Sequence, residues 1–124
     1  MNLLLDTHAL LWWLTGVELS EEAVAAIADP NTLVVVSAAS IWEAGIKAAL
    51  GKLRTPEPLS EAVADEGFEA LSITHAHAEV AAGLPPHHRD PFDRMLVAQA
   101  LVGSLAVVTR DLAFAPYGVS ILPC

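Results

Sequence analysis

Positive charge, cysteine and long hydrophobic runs are all scarce in this chain. It carries 6 Lys+Arg against 15 Asp+Glu, a formal net charge of −9, and its first basic residue is Lys47. General adhesion to nucleic acid needs Lys and Arg to neutralise phosphates. That class of function is therefore excluded, and any nucleic-acid partner must be held locally or through bound cations. The single cysteine, Cys124, has no internal partner, which removes disulfides from the account and fits a reducing compartment. Although 54% of the residues are hydrophobic and mean hydropathy is +0.50, the longest uncharged stretch, Met95 to Thr109, is interrupted by Gln99, Gly103 and Ser104. It is about 15 residues long, short of the ~20 apolar residues a spanning helix needs. The first apolar run contains Asp6 and has no basic lead, unlike a signal peptide. No repeat, low-complexity tract or linker divides the 124 residues. One soluble, cytoplasmic domain over residues 1–124, with no membrane partner, is expected.

Within that domain, short apolar runs alternate with helical patterns. Asn2 to Leu5 reads as a buried strand ended by Asp6, and Thr7 as the cap of a helix from His8 to Leu14. Ser20-Glu21-Glu22 opens a second helix, with acids where the helix dipole favours them. Leu33 to Val36 is a second buried strand, followed by a helix from about Ala39 to Leu50 that stops at Gly51. Pro56 and Pro58 mark a loop; Ser60 caps a helix to about Glu66, and Phe68 to Ile73 is a third strand. Thr74 caps a helix to Ala82. Asp90-Pro91 starts another that runs to about Val102, an acid cap followed by proline at the first helical position. Leu105 to Val108 and Val119 to Leu122 complete the strands. Continuously apolar strands alternating with helices imply a three-layer α/β/α sandwich around a parallel sheet of four to five strands.

In such sheets ligands bind beyond the carboxyl ends of the strands. Asp6 directly follows the first strand, Asp111 follows Leu105–Val108, Glu43 lies about two turns into the helix after the second strand, and Asp93 sits in the first turn of its helix. Singly, each reads equally well as a solvated acid or a helix cap. Together they do not, because two carboxylates ~5 Å apart repel by roughly 3 kcal/mol at an effective dielectric of 20. The common remedy is a hard divalent cation with oxygen ligands, Mg²⁺ or Mn²⁺, singly or as a pair.

The segment Leu3-Leu4-Leu5-Asp6-Thr7-His8-Ala9-Leu10-Leu11-Trp12 resembles the opening of the PIN-domain ribonucleases, specifically the VapC-type toxins of toxin–antitoxin pairs. The resemblance continues in Ser37-Ala38-Ala39-Ser40-Ile41-Trp42-Glu43 with Lys47 and Gly51-Lys52-Leu53. His88-Arg89-Asp90-Pro91-Phe92-Asp93-Arg94 with Leu96-Val97-Ala98-Gln99-Ala100, and then Thr109-Arg110-Asp111, extend it in the family's order over essentially the whole chain. It implies that Asp6, Glu43, Asp93 and Asp111 bind Mg²⁺ or Mn²⁺ and support in-line hydrolysis of an RNA phosphodiester, leaving a 5′-phosphate and a 3′-hydroxyl. It implies too a tRNA or rRNA substrate, a homodimer, and a cognate antitoxin whose tail lies in a groove near the site. Thr7, Ser37 and Thr109 match hydroxyl positions beside the acids, where they would orient carboxylates. Asp90 reads chiefly as a helix cap.

All six basic residues lie near the acidic blocks, as a local rim for phosphate would; Lys47, Arg94 and Arg110 are the candidates for substrate contact. Lys47 fits pairing with Glu43 equally well. Trp12 and Trp13 are adjacent on a helix, so one should pack inside and the other face a partner. His75 and His77 point apart, against a zinc site, and His87 and His88 are expected in an exposed loop. Two other phosphate-handling families are excluded. A response-regulator receiver needs a lysine after a late strand, and none follows Lys52; a haloacid-dehalogenase phosphatase needs an acid two residues after its nucleophile, where His8 stands. A non-catalytic metal- or RNA-binding interaction module of the same fold stays open.

Overall fold

The computed structural model describes residues 1–56 and 58–124. Five strands form one sheet: β1 (Asn2–Leu5), β2 (Leu33–Ser37), β3 (Glu69–Leu71), β4 (Ala106–Thr109) and β5 (Ser120–Pro123). Their order is β3-β2-β1-β4-β5, and every pairing is parallel. Six α-helices connect and cover them: α1 (Thr7–Thr15), α2 (Glu21–Ala28), α3 (Ala38–Ala49), α4 (Leu59–Asp65), α5 (His75–Gly83) and α6 (Pro91–Gly103). A 3₁₀ turn, Leu112–Tyr117, precedes β5.

Alternation along β1 explains the layering. Leu3 and Leu5 belong to one core with Val34, Val36, Val108, Leu10, Ala23 and Val63, which brings α1, α2 and α4 to that face. Leu4 points into the opposite core with Val35, Val107, Leu96, Val97 and Phe114, under α6 and the 3₁₀ turn. All three leucines are fully buried, as a central parallel strand covered on both faces requires. Among the described residues no helix is long and apolar enough to cross a membrane.

Local details differ from the sequence reading. Thr7 is the first residue of α1 and Asp6 its N-cap. Ser60 does not cap α4, which begins at Leu59 after Pro58 without a side-chain cap. The third strand shrinks to the three residues of β3 at the sheet edge, where only one neighbour supplies ladder hydrogen bonds. The 3₁₀ turn has no apolar periodicity to announce it; Asp111 caps it and Pro116 lies within it. The chain leaves β1 toward β2 on one side, whereas β4 flanks β1 on the other. The sheet's switch point therefore lies between the carboxyl ends of β1 and β4, where parallel sheets open a crevice.

Candidate active site

Asp6 lies at that switch point, only 6% exposed. Its Oδ1 accepts from the Ala9 backbone N–H at 2.7 Å, and its Oδ2 from the Thr109 hydroxyl at 2.6 Å. Thr109, the last residue of β4, also accepts from the Asp111 N–H at 2.9 Å, so one hydroxyl couples the two strand-end acids. Glu43 is equally buried, on α3. Its Oε1 accepts from the Thr7 hydroxyl at 2.6 Å and its Oε2 from Lys47 Nζ at 2.7 Å. Ser40 Oγ, 3.0 Å from Thr7 Oγ1, backs that arrangement. Asp93 stands in the first turn of α6, whose N-cap is Asp90; Asp90 Oδ1 accepts from the N–H groups of Phe92 (2.8 Å) and Asp93 (3.3 Å).

His88 joins the last two acids. Its Nε2 is 3.0 Å from Asp93 Oδ2 and 2.9 Å from Asp111 Oδ2. Its Nδ1 accepts from the Asp90 N–H at 3.2 Å, which leaves Nε2 as the protonated nitrogen of the neutral ring. His88 Nε2 and one carboxylate oxygen each of Asp93 and Asp111 thus lie within 4.8 Å of one another. The structure corrects the reading of His88 as a solvated loop residue. The 84–90 segment is pinned: His88 N–H donates to the Tyr117 phenol at 2.8 Å, and Tyr117 donates to the Pro85 carbonyl at 2.8 Å.

The acids act on one another: Asp90, Glu43 and Asp6 on Asp93, and Asp111 on Asp6. Burial is the main cause that raises the Asp93 pKa to about 7; Asp90, Glu43 and Asp6 add repulsion, and His88 opposes them. Asp6 is also raised, first by burial and slightly by Asp111, against the hydrogen bonds from Thr109 and Ala9. Lys47 is raised by its hydrogen bond to Glu43, against the effect of burial. Raised carboxylates make a stability prediction. Between pH ~4 and ~7 folded Asp93 keeps a proton that the unfolded chain has released. Its contribution is therefore complete below the unfolded pKa and falls as pH rises toward 7, by at most about 4 kcal/mol. Urea unfolding in EDTA at pH 5 and pH 7.5 measures it: Asp93→Asn should flatten the decline seen in the parent.

Other expected site residues are placed differently. Ser37 accepts from the Ala39 N–H at 3.0 Å as the cap of α3 and orients no carboxylate. Arg94 is withdrawn from substrate contact. Its guanidinium donates to the carbonyls of Pro85, His88, Ala81 and Leu84 and to the Tyr117 phenol, which braces the segment carrying His88. Arg110 lines a crevice with Asp6, His8, Trp12 and Asp111. Trp12 and Trp13 do not divide into one inside and one outside: Trp12 lies under Arg110, and Trp13 packs on Phe68 and donates to Glu66 at 3.1 Å. The exposed indole is Trp42, 65% accessible. The roles of Ser40 and His88 had no local signal beyond position, since both depend on residues distant in sequence.

The acids fit a divalent cation. Asp93 and Asp111 offer oxygens within 4.8 Å of each other, Asp6 and Glu43 add to the negative field at Asp93, and among the described residues only Lys47 and His88 form ion pairs with these acids. A hard cation with oxygen ligands relieves that repulsion.

Comparisons with known proteins bear on the family and the fold. A PIN domain family model matches residues 3–119. Ribonuclease VapC16 of Mycobacterium tuberculosis is 42% identical over 60 residues, which are 45% of this chain and 43% of that protein, so the match spans less than half of the relative's length. Among solved structures, VapBC2 from Rickettsia felis bound to a promoter DNA fragment aligns at TM-score 0.72 and 12% identity, covering 99% of this chain and 98% of that one. FitAcB from Neisseria gonorrhoeae aligns at TM-score 0.63 and 20% identity, covering 97% and 96%. A toxin–antitoxin complex from Klebsiella pneumoniae aligns at TM-score 0.65 and 19% identity, covering 96% and 94%.

Proposed function

The chain belongs to the PIN domain family, and from that premise we propose that it is a Mg²⁺- or Mn²⁺-dependent endoribonuclease, the toxin of a toxin–antitoxin pair. What supports the reading is that Asp6 and Asp111 follow β1 and β4 at the switch point, that Asp111 and Asp93 offer oxygens within 4.8 Å of each other, and that burial with Asp90, Glu43 and Asp6 raises Asp93 to about 7. The four carboxylates would hold one or two ions. When bound, such a cation activates water and stabilises charge on the phosphate and the leaving oxygen.

The protein's own groups fix the geometry. Thr7 and Lys47 lock the two oxygens of Glu43, Thr109 and the Ala9 N–H lock those of Asp6, and the α6 N-cap fixes the first turn that presents Asp93. Hydrolysis would join a water oxygen to phosphorus and break the bond to the 3′ oxygen, leaving a 5′-phosphate and a 3′-hydroxyl. Thr109→Val removes the donor to a buried carboxylate. It should weaken cation affinity by about 10–100-fold while the fold persists, as measured by calorimetric titration with Mn²⁺.

The name of the M. tuberculosis relative supports RNA as substrate, for which the family resemblance implies the tRNA or rRNA class, and the solved toxin–antitoxin complex supports an antitoxin partner. Trp42, beside a groove lined by Val36, Ile41, Val63 and Leu71, offers that partner an aromatic anchor. A homodimer in the cytoplasm completes the reading.

The test is total tRNA and ribosomal RNA incubated with the protein and Mn²⁺ or Mg²⁺, against EDTA, together with RNA from cells arrested by its expression. Discrete metal-dependent fragments are expected. Intact RNA in arrested cells would overturn the nuclease in favour of a non-catalytic interaction module.

A further inference from the structure

Beside the acids, His8, Trp12 and Arg110 line one crevice of about 310 Å³ with Asp6 and Asp111. This is the small end of the range for ligand sites, roughly 300–1,000 Å³, room for one nucleotide rather than a duplex. The basic and aromatic residues are held in place. The Arg110 guanidinium carbon lies 4.1 Å from the centre of the Trp12 ring. Its Nη2 donates to the carbonyls of Glu18 at 2.8 Å and Cys124 at 3.2 Å. The His8 ring flanks Trp12 with centroids 5.8 Å apart and planes tilted by 39°. His8 and Arg110 are exposed, and Trp12 is half-buried.

A purely structural role leaves two features unexplained. Arg110 shares the crevice with two carboxylates, yet among the described residues it forms an ion pair with neither. The indole and the two carbonyls fix it elsewhere, and among the described residues no oxygen acceptor ties Nη1 or Nε. The other two basic candidates are engaged, Lys47 by Glu43 and Arg94 by carbonyls. In a chain of net charge −9, a guanidinium that among the described residues pairs with no Asp or Glu side chain, with planar rings beside it, suits a phosphate joined to a base. Arg pairs with phosphate through its planar fork, and bases stack on aromatic and guanidinium faces.

We propose that this crevice is a nucleotide subsite for single-stranded RNA. The free edge of Arg110 takes the phosphate next to the scissile one, and the attached base lies against His8 on the flank of the Trp12–Arg110 stack. A paired base is not available for that contact, so the subsite selects loops and unpaired ends. The proposal rests on the RNA-cleaving reading for its substrate class.

The probe is fluorescein-labelled decaadenylate, titrated by anisotropy against the full-length Asp93→Asn protein, which prevents turnover. An abasic decamer of equal charge is the control. Added to that background, His8→Ala and Arg110→Gln should each weaken decaadenylate binding by about tenfold. The abasic decamer should respond to Arg110→Gln and ignore His8→Ala. His8 is an exposed side chain, so its removal keeps the test valid if Arg110→Gln fails to fold. Absence of saturable binding, unchanged affinity in His8→Ala, or equal loss on both decamers in His8→Ala would overturn the proposal. So would variants that bind RNA normally but lose a protein partner. Metal-dependent RNA cleavage with decamer binding indifferent to His8 and Arg110 would reject the subsite alone. Binding that depends on both residues in a protein that cleaves no RNA would reject the nuclease reading and leave the subsite.

Discussion

Asp93→Asn is expected to lower the rate of RNA cleavage by about 10³-fold or more, ~4 kcal/mol of barrier, while leaving the protein folded. The substitution is nearly isosteric and leaves the Asp90 cap of α6 in place, so the helix start should persist. What disappears is the carboxylate that burial and three neighbouring acids destabilise most strongly in the absence of a cation. Such a group gains the most from a bound cation, and its loss removes both a ligand and the charge that draws the cation in. Single-turnover cleavage with saturating Mn²⁺ measures the effect. A decrease that saturating metal repairs would mean that Asp93 serves affinity alone. Undiminished cleavage would remove Asp93 from the site.

Mn²⁺ should raise the melting temperature of the wild-type protein by roughly 10 °C when its concentration reaches about 100 times Kd. Binding confined to the folded state contributes about 2.7 kcal/mol at that saturation, and a domain of this size gains roughly 4 °C per kcal/mol. The effect has two sources that act together: ligation itself, and relief of the repulsion that raises the pKa values of Asp6 and Asp93. In metal-free buffer the Asp6→Asn, Asp93→Asn double variant should melt above the parent, because it removes two of the crowded charges. With Mn²⁺ the order should reverse. Scanning calorimetry with and without EDTA shows both. An equal Mn²⁺ shift in the parent and the double variant would place the cation elsewhere.

Asp6 and Asp111 are legible in the sequence because strand ends are, whereas Glu43 and Asp93, on α3 and α6, are picked out by the family resemblance. A run such as Leu3-Leu4-Leu5, fully buried on both sides of the sheet, can only be a central strand. The acid that ends it must then lie on the crevice edge. Thr109, paired with Asp6 by one short hydrogen bond, is picked out by the family resemblance as a hydroxyl beside the acids. Arg94 misled for a related reason: next to Asp93 it looks like a cation for phosphate, and nothing local reveals four carbonyls from α5 and the following loop closing around it.

The sequence alone therefore determined the class of sheet, the strand ends and the two acids that follow them, Asp6 and Asp111, because hydrophobic runs and their terminators are local properties of the chain. Partnership was decided only by tertiary structure. His88 bridges Asp93 and Asp111, Ser40 supports Thr7, and Trp12 holds Arg110 clear of the acids, each across an interval that no periodicity encodes. A hydrogen bond or a stacked pair is fixed by distances of a few ångströms, and those distances exist only once the sheet has brought remote segments to one edge.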